Sequence, residues 1–277
     1  MQPNDQVRFW RDPDLAGMEF RVSQYERFAF SSHTHDTYSI GLVHVGGSRL
    51  FDRGPNDSRV FAGEIAVLAP GEVHSGVPLD DSGLTYHMLY VNADWLRGLH
   101  ADLGGAGENL PCFRDTVLRD PALRNALRFL VDLTTRSGRA EGLAKQSASV
   151  VAFSWLLARH GEAGARRLDV AEEPRAVRLA REYLADNYAR KISLDELAAV
   201  TGLSRYHLLR QFKRSLGLPP HAWQIQQRVQ RAQHLLAAGE PIVEAALATG
   251  FTDQSHFSKI FKQIVGATPN QYRRSPA

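Results

Sequence analysis

The C-terminal third of this chain repeats itself, and each copy has the form of two helices joined by a glycine turn. Leu194-Asp195-Glu196-Leu197-Ala198-Ala199-Val200-Thr201-Gly202-Leu203-Ser204-Arg205-Tyr206-His207 opens one copy, and Ile242-Val243-Glu244-Ala245-Ala246-Leu247-Ala248-Thr249-Gly250-Phe251-Thr252-Asp253-Gln254-Ser255 opens the other. The Thr-Gly pair recurs at 201 and 249, whereas the Phe-Lys pairs at 212 and 261 and the prolines at 220 and 269 are each 49 apart, so one residue is inserted in the second turn. A short helix, a Gly turn and a longer basic helix form the pattern of a motif that sets a helix in a DNA groove.

Charge is distributed to match. The net charge is +3, yet from Pro174 onward 15 Lys and Arg face 7 Asp and Glu, while residues 1–173 carry 18 against 23. The basic surplus therefore sits in the duplicated region, where phosphates would be met. At 277 residues and 43% hydrophobic the chain can bury about two cores without staples. The lone cysteine, Cys112, excludes an intramolecular disulfide and reads as a small buried hydrophobe. Met1-Gln2-Pro3-Asn4-Asp5 lacks a basic region followed by an apolar core, and no apolar run reaches the roughly 18 residues of a membrane helix. A cytoplasmic protein without membrane contact is expected.

The first half reads differently. From about Phe20 to Val91, short runs such as Tyr38-Ser39-Ile40-Gly41-Leu42-Val43 and Tyr86-His87-Met88-Leu89-Tyr90-Val91 alternate with Gly, Asp, Pro and Asn clusters, which predicts many short strands in a sandwich or barrel over about 15–115. From Asp120 the period becomes helical: Leu123, Leu127, Leu130, Val131 and Thr134 form one stripe, and Val150, Val151, Ser154, Leu157 and Ala158 another. Two helices within about 120–160 thus close a first domain of residues 1–165. A linker is expected at 166–173. A helical domain follows over 174–277, in which Val177, Ala180, Tyr183 and Leu184 make the first apolar face.

In each repeat the Gly after Thr accepts positive φ without steric penalty. Ser204 and Thr252 stand where an N-cap is wanted. The motifs span 194–216 and 241–266, with second helices at Arg205–Leu216 and Asp253–Val265. Leu208, Phe212 and Leu216 form the buried stripe of the first and Phe257, Phe261 and Ile264 that of the second. Between them Pro220–Ala238 is one long helix, with Trp223, Ile225, Val229, Ala232, Leu235 and Leu236 inward and Arg228 and Arg231 on its polar side. Such a helix fixes the distance between two readers, which must lie about 34 Å apart to enter successive major grooves.

Residues 174–277 resemble the DNA-binding domain of the AraC/XylS family of bacterial transcription regulators. The resemblance is carried by the two motifs in register and by Gly250-Phe251-Thr252-Asp253-Gln254-Ser255-His256-Phe257-Ser258-Lys259-Ile260-Phe261-Lys262, followed by Gly266, Thr268-Pro269 and Tyr272-Arg273. It implies base-facing positions at Tyr206, Leu209 and Arg210 in the first copy and at Gln254, Ser255, His256 and Lys259 in the second. The chemistry agrees, since Arg can grip guanine in two bonds, Gln can pair with adenine, and Leu209 or the Tyr206 ring can touch a thymine methyl. Arg205, Lys213, Arg214, Lys262, Arg273 and Arg274 read as phosphate contacts or solvated surface.

In the first half, His33-Thr34-His35, then Gly63 and Ala69-Pro70-Gly71-Glu72-Val73-His74, resemble the two short motifs of cupin barrels, which regulators of this family carry as effector domains. Metal-binding cupins add a Glu shortly after His-x-His, and here that place holds Tyr38, Ser39 or Ile40. The expectation is therefore no metal and no cofactor, with His33, His35 and His74 as the ligand set in the alternative case. A pocket with a few convergent polar groups would bind a small molecule through His33, His35, Tyr38, His74, Tyr86 and His87, with Arg49 or Arg53 available to an anionic group. Alternation forbids Tyr86 and His87 from both pointing inward.

The resulting fold expectation is an α+β two-domain chain, a cupin-like barrel with two C-terminal helices followed by an all-α double helix-turn-helix domain. The functional expectation is a ligand-responsive DNA-binding regulator, an activator and homodimer that meets RNA polymerase by family resemblance. Two alternatives stand beside it, a metal-dependent cupin enzyme on a DNA-binding tail and a constitutive repressor whose barrel only dimerises.

Overall fold

The computed structural model describes residues 6–51, 57–105, 110–135, 142–162 and 174–274, with the side chains of Phe51, Asp57 and Tyr206 outside that description. The expected linker at 166–173 and Arg53 also lie outside the described residues. The chain divides into two compact units, one containing the described residues of 6–29 and 34–162 and one containing Phe30–His33 with 174–274. Among the described residues no helix is long and apolar enough to cross a membrane.

The strands are β1 (Gln6–Arg11), β2 (Met18–Tyr25), β3 (Phe30–His33), β4 (Tyr38–Val45), β5 (Gly47–Phe51), β6 (Asp57–Phe61), β7 (Ile65–Leu68), β8 (His74–Pro78), β9 (Leu84–Val91) and β10 (Val117–Leu118), all of the first unit except β3. Six of them order as β1-β2-β9-β4-β7-β10 and four as β3-β8-β5-β6. The sheet begins earlier than the expected 15, because Phe9 and Trp10 are buried and pair across to Arg21 and Phe20. A helix, α1 (Ala93–Asp102), interrupts the expected run of strands, its first amides capped by the Asn92 side chain.

Period-two alternation gives the larger sheet two unlike faces. Phe20, Tyr38, Ile40, Leu42, Leu89 and Val91 pack into one apolar core with helices α2 (Pro121–Thr135) and α3 (Gly142–His160). The opposite face carries Arg21, Ser23, Tyr25, Ser39 and Tyr86, all buried. Asp120 joins the two helices: one carboxylate oxygen accepts from the Leu123 amide at 3.0 Å, and Arg159 and His160 at the end of α3 bind the same side chain.

The α2 stripe is the one expected, with Leu123, Leu127, Leu130 and Val131 buried. That of α3 is rotated: Ser149, Ala152, Phe153, Leu156 and Leu157 are buried, whereas Val150 and Val151 are 45% and 48% exposed. Burying the Phe153 ring, which meets Trp95 edge-on, sets the helix phase and turns the two valines outward.

The second unit comprises α4 (Arg175–Asp186), α5 (Leu194–Thr201), α6 (Arg205–Leu216), α7 (Pro220–Ala237), α8 (Ile242–Ala248), α9 (Gln254–Val265) and α10 (Pro269–Arg273). Helix α7 packs against α4, α6, α8, α9 and α10, so it is the spine on which both repeats hang. Its inward side differs from the apolar reading. Val229, Ala232 and Leu236 are buried together with Gln224 and Gln226, while Trp223, Ile225 and Leu235 are only half-buried.

Gln224 donates to the carbonyls of Tyr188 and Arg190 at 3.1 and 2.9 Å. Arg228, expected on the polar side, donates to the same two carbonyls at 2.8 and 3.1 Å and to the Gly250 carbonyl at 2.6 Å. These carbonyls lie outside the helices and have no partner within a helical ladder, and the two side chains supply donors to them.

Candidate functional site

Each repeat builds its reader in the same way. Thr201 and Thr249 turn their hydroxyls back onto the carbonyls of Leu197 and Ala245 at 2.9 and 2.6 Å, which satisfies a group at the turn. The following glycines adopt φ of 69° and 82°. Gly250 has a further reason to lack a side chain, since a Cβ there would lie 2.0 Å from the Ala189 carbonyl oxygen.

The second helices then start at N-caps. Ser204 accepts from the His207 amide at 3.4 Å, as expected. In the second repeat the cap is Asp253 and not Thr252: its carboxylate accepts from the His256 amide at 2.8 Å, and the helix begins one residue later, at Gln254. A carboxylate is the stronger acceptor for a helix N-terminus, and the extra turn residue places it there. The caps, 204 and 253, are 49 apart like the Phe-Lys pairs and the prolines that follow the inserted residue.

The buried stripes are Leu208 and Phe212 in α6 and Phe257, Phe261 and Val265 in α9, with Leu216 and Ile264 only half-buried beside them. On the opposite sides, Leu209 and Arg210 of α6 and Gln254, Ser255, His256 and Lys259 of α9 are exposed, as are Arg205, Lys213, Arg214, Arg273 and Arg274; Lys262 is half-buried. The Tyr206 side chain lies outside the described residues. Arg205 pairs with Asp195 at 3.2 Å on an open surface, a contact too solvated to hold it against a phosphate.

The sheet unit divides the candidate effector residues between its two faces. His35 lies 5.1 Å, centroid to centroid, from both His74 and Tyr90, and the imidazole ligand atoms of His33, His35 and His74 are all within 4.8 Å of one another. Ring Nδ1 atoms of His33 and His74 meet the Ser31 and Glu72 carbonyls at 2.7 and 3.0 Å, which fixes them as donors and the tautomer with them. Burial lowers the His74 pKa to about 4, against the opposing Glu72 hydrogen bond, so its ring is neutral. Tyr86 lies on the face of Arg21, its ring 5.7 Å from the guanidinium.

Tyr38 and His87 fall on the other face. The Tyr38 hydroxyl donates to the Pro111 carbonyl at 2.6 Å within the helix-side core, and His87 meets His44 at 2.7 Å beside Trp10. Burial lowers His87, and burial together with His87, Arg124 and Arg128 lowers His44 to about 4. Arg49 is half-buried on β5.

Sequence reading passed over Arg21. It is 2% exposed, and its Nε donates to Ser23 Oγ at 2.7 Å, its Nη1 to Tyr90 Oη at 3.2 Å and its Nη2 to Tyr25 Oη. The signal was available, because Phe20-Arg21-Val22-Ser23 alternates apolar and polar and so puts Arg21 on one face with Ser23.

A two-faced sheet with a polar, histidine- and tyrosine-rich interior, followed by two capped helix-turn-helix readers on one spine, defines a ligand-responsive, DNA-binding transcription regulator. Two family models agree: the AraC-like ligand binding domain matches residues 15–149 and the Helix-turn-helix domain residues 197–275. The chain belongs to the AraC family of transcriptional regulators. It is 32% identical over 227 residues to the HTH-type transcriptional regulator YbfI of Bacillus subtilis, covering 82% of this chain and 81% of that one. To the arabinose operon regulatory protein of Escherichia coli it is 27% identical, over 79% and 75% of the two chains. Apo ToxT from Vibrio cholerae superposes with a TM-score of 0.61 at 17% identity, covering 93% of this chain and 97% of that one, which shows a shared two-domain fold.

Proposed function

We propose that this regulator is an activator that binds a small metabolite inside the sheet domain, dimerises through α2 and α3, and presents its two readers to one promoter half-site and to RNA polymerase. Residues 1–165 would sense and dimerise, and 174–277 would bind DNA. The observation that carries the reading is the paired geometry of the readers. Each is capped and turned alike, and each offers exposed polar side chains on the side away from its buried stripe.

In this reading Tyr206, Leu209, Arg210, Gln254, Ser255, His256 and Lys259 read bases. Arg205, Lys213, Arg214, Lys262, Arg273 and Arg274 position the backbone of the DNA. His33, His35, His74 and Tyr86 line the effector site, while Tyr38 and His87 belong to the helix-side core. With DNA as its partner the protein works in the cytoplasm, and it performs no chemistry of its own.

Dimerisation is supported by apolar side chains left in solvent on the two helices: Phe129 is 54% exposed, Leu143 71% and Trp155 40%. Sedimentation of the full chain tests it. A dimer at tens of micromolar that Leu143→Glu with Trp155→Glu converts to monomer supports the reading, and a strict monomer with and without effector contradicts it.

One observation favours a second reading, a metal-dependent enzyme carried on a DNA-binding domain: the convergence of three imidazoles. Those residues would hold a zinc- or iron-like cation by three neutral ligands, and the cation would supply a Lewis acid. Metal analysis of the purified protein separates the readings, since the enzyme requires a stoichiometric ion and the sensor does not.

A further inference from the structure

The interior face of the larger sheet holds a permanent charge. A guanidinium cannot lose its proton, so Arg21 brings a positive charge in among the hydroxyls of Ser23, Tyr25 and Tyr90. The hydroxyls it bonds supply dipoles, and each one that accepts from Arg21 turns its own proton elsewhere. Tyr90 accepts at 3.2 Å and is thereby made a donor, polarised by the cation behind it.

A second observation lies directly opposite. Ser39 pairs across the strands with Tyr90, sits on the same face because its neighbours Tyr38 and Ile40 occupy the other, and is 1% exposed. Its Oγ has no hydrogen-bond partner among the described residues. A buried hydroxyl left without a partner costs about 1–3 kcal/mol, which an acceptor arriving with a ligand would recover. A phenol hydroxyl made a donor by the guanidinium behind it, and an unpartnered serine hydroxyl at the paired position of the next strand on the same face, match an oxyanion. The Arg21 guanidinium brings one positive charge to these hydroxyls, which suits a monoanion better than a doubly charged phosphate.

We propose that the effector is a monocarboxylate whose charged group is held by the Tyr90 and Ser39 hydroxyls with the Arg21 guanidinium behind them. Its less polar body then runs along the aromatic wall at Tyr86. The proposal rests on the reading of the sheet interior as the effector site and names the chemical class that site takes.

The test is thermal shift and calorimetry on the full chain with acid and amide pairs of one skeleton: benzoate and benzamide, salicylate and salicylamide, hexanoate and hexanamide. L-arabinose and glucose serve as neutral polar molecules. At least one acid is expected to bind tenfold or more tighter than its amide. Arg21→Gln should bring that acid down to the amide's level, and Ser39→Ala should weaken it several-fold without lowering the unliganded melting point. If Arg21→Gln fails to fold, Ser39→Ala and the acid-amide comparison still decide. An amide that binds as well as its acid, binding by the neutral sugars alone, or no binding by any acid overturns the proposal. Binding of a sugar that changes operator affinity would leave the sensor reading standing, whereas operator affinity indifferent to every bound molecule would count against that reading itself.

Discussion

Arg228 donates from Nη1 to the Gly250 carbonyl at 2.6 Å, and so a side chain on the spine helix holds the turn of the second reader. The same guanidinium also holds the Tyr188 and Arg190 carbonyls of the loop before the first reader. Replacing it with Met keeps the stem and removes the bonds. Arg228→Met should destabilise the helical unit by about 3 kcal/mol, the scale of charged hydrogen bonds to half-buried carbonyls. Urea unfolding of the full chain checks this, and a change under about 0.5 kcal/mol, the level of an ordinary surface substitution, would show that the clamp is idle.

The two turn glycines should respond differently to alanine. At Gly202 a Cβ meets nothing within 4 Å, so only the left-handed φ of 69° opposes it, a cost of about 1–2 kcal/mol. At Gly250 the Cβ would also lie 2.0 Å from the Ala189 carbonyl oxygen, so the backbone must shift. Gly250→Ala is therefore expected to lower the melting temperature clearly more than Gly202→Ala. Equal shifts would mean that φ alone governs both turns.

Arg210→Ala and Gln254→Ala should each weaken cognate operator binding by about 1–3 kcal/mol and spare the fold, because both side chains are exposed outside the buried stripes. Arg214→Ala should weaken cognate and random DNA alike. Gel-shift titration against both DNAs separates the roles. Arg210 loses its assignment as a base reader if its removal costs random DNA as much as cognate.

Stability of the sheet unit should fall in mild acid. The folded pKa values of His74 and His44 are lowered to about 4 by burial, and His87 is lowered as well, whereas an unfolded histidine titrates near about 6.5. Between those values the unfolded chain binds more protons, so stability is full above about 6.5 and declines as the pH drops toward 4. His74 alone contributes on the order of 2 kcal/mol between pH 7 and 5. Melting curves across that range should show a smaller decline for His74→Gln than for the unchanged protein, and identical slopes would refute the contribution.

Chelation should leave effector binding and operator affinity unchanged if the imidazoles of His33, His35 and His74 act as polar groups only. Dialysis against a chelator, followed by the same thermal-shift assay, is the check. A response lost on chelation and restored by one particular metal would move the effector site onto a metal centre.

Much of this was legible in the sequence because it depends on local pattern. The repeated Thr-Gly, Phe-Lys and Pro spacing specifies turns, stripes and caps that each form within a few residues, and the α2 stripe follows from period alone. What escaped depends on tertiary partners. Gln224 and Arg228 look like surface positions until the loop carbonyls at Tyr188 and Arg190 arrive beside them. The phase of α3 is set by where Phe153 finds room, and the Asp253 cap by the inserted residue. In the sheet, alternation correctly separates Tyr86 from His87, but which face is the interior depends on where the helices pack.

The most direct test of the account is selection of bound sequences from random duplex DNA by the full chain, followed by footprinting of the winners. Two readers fixed on one spine predict two short enriched boxes whose centres lie about one helical turn, 10–10.5 base pairs, apart. Protection is then expected on one face of the duplex, and occupancy should change when the effector is added. A single box, boxes at variable spacing, or no enrichment over random DNA would contradict the account.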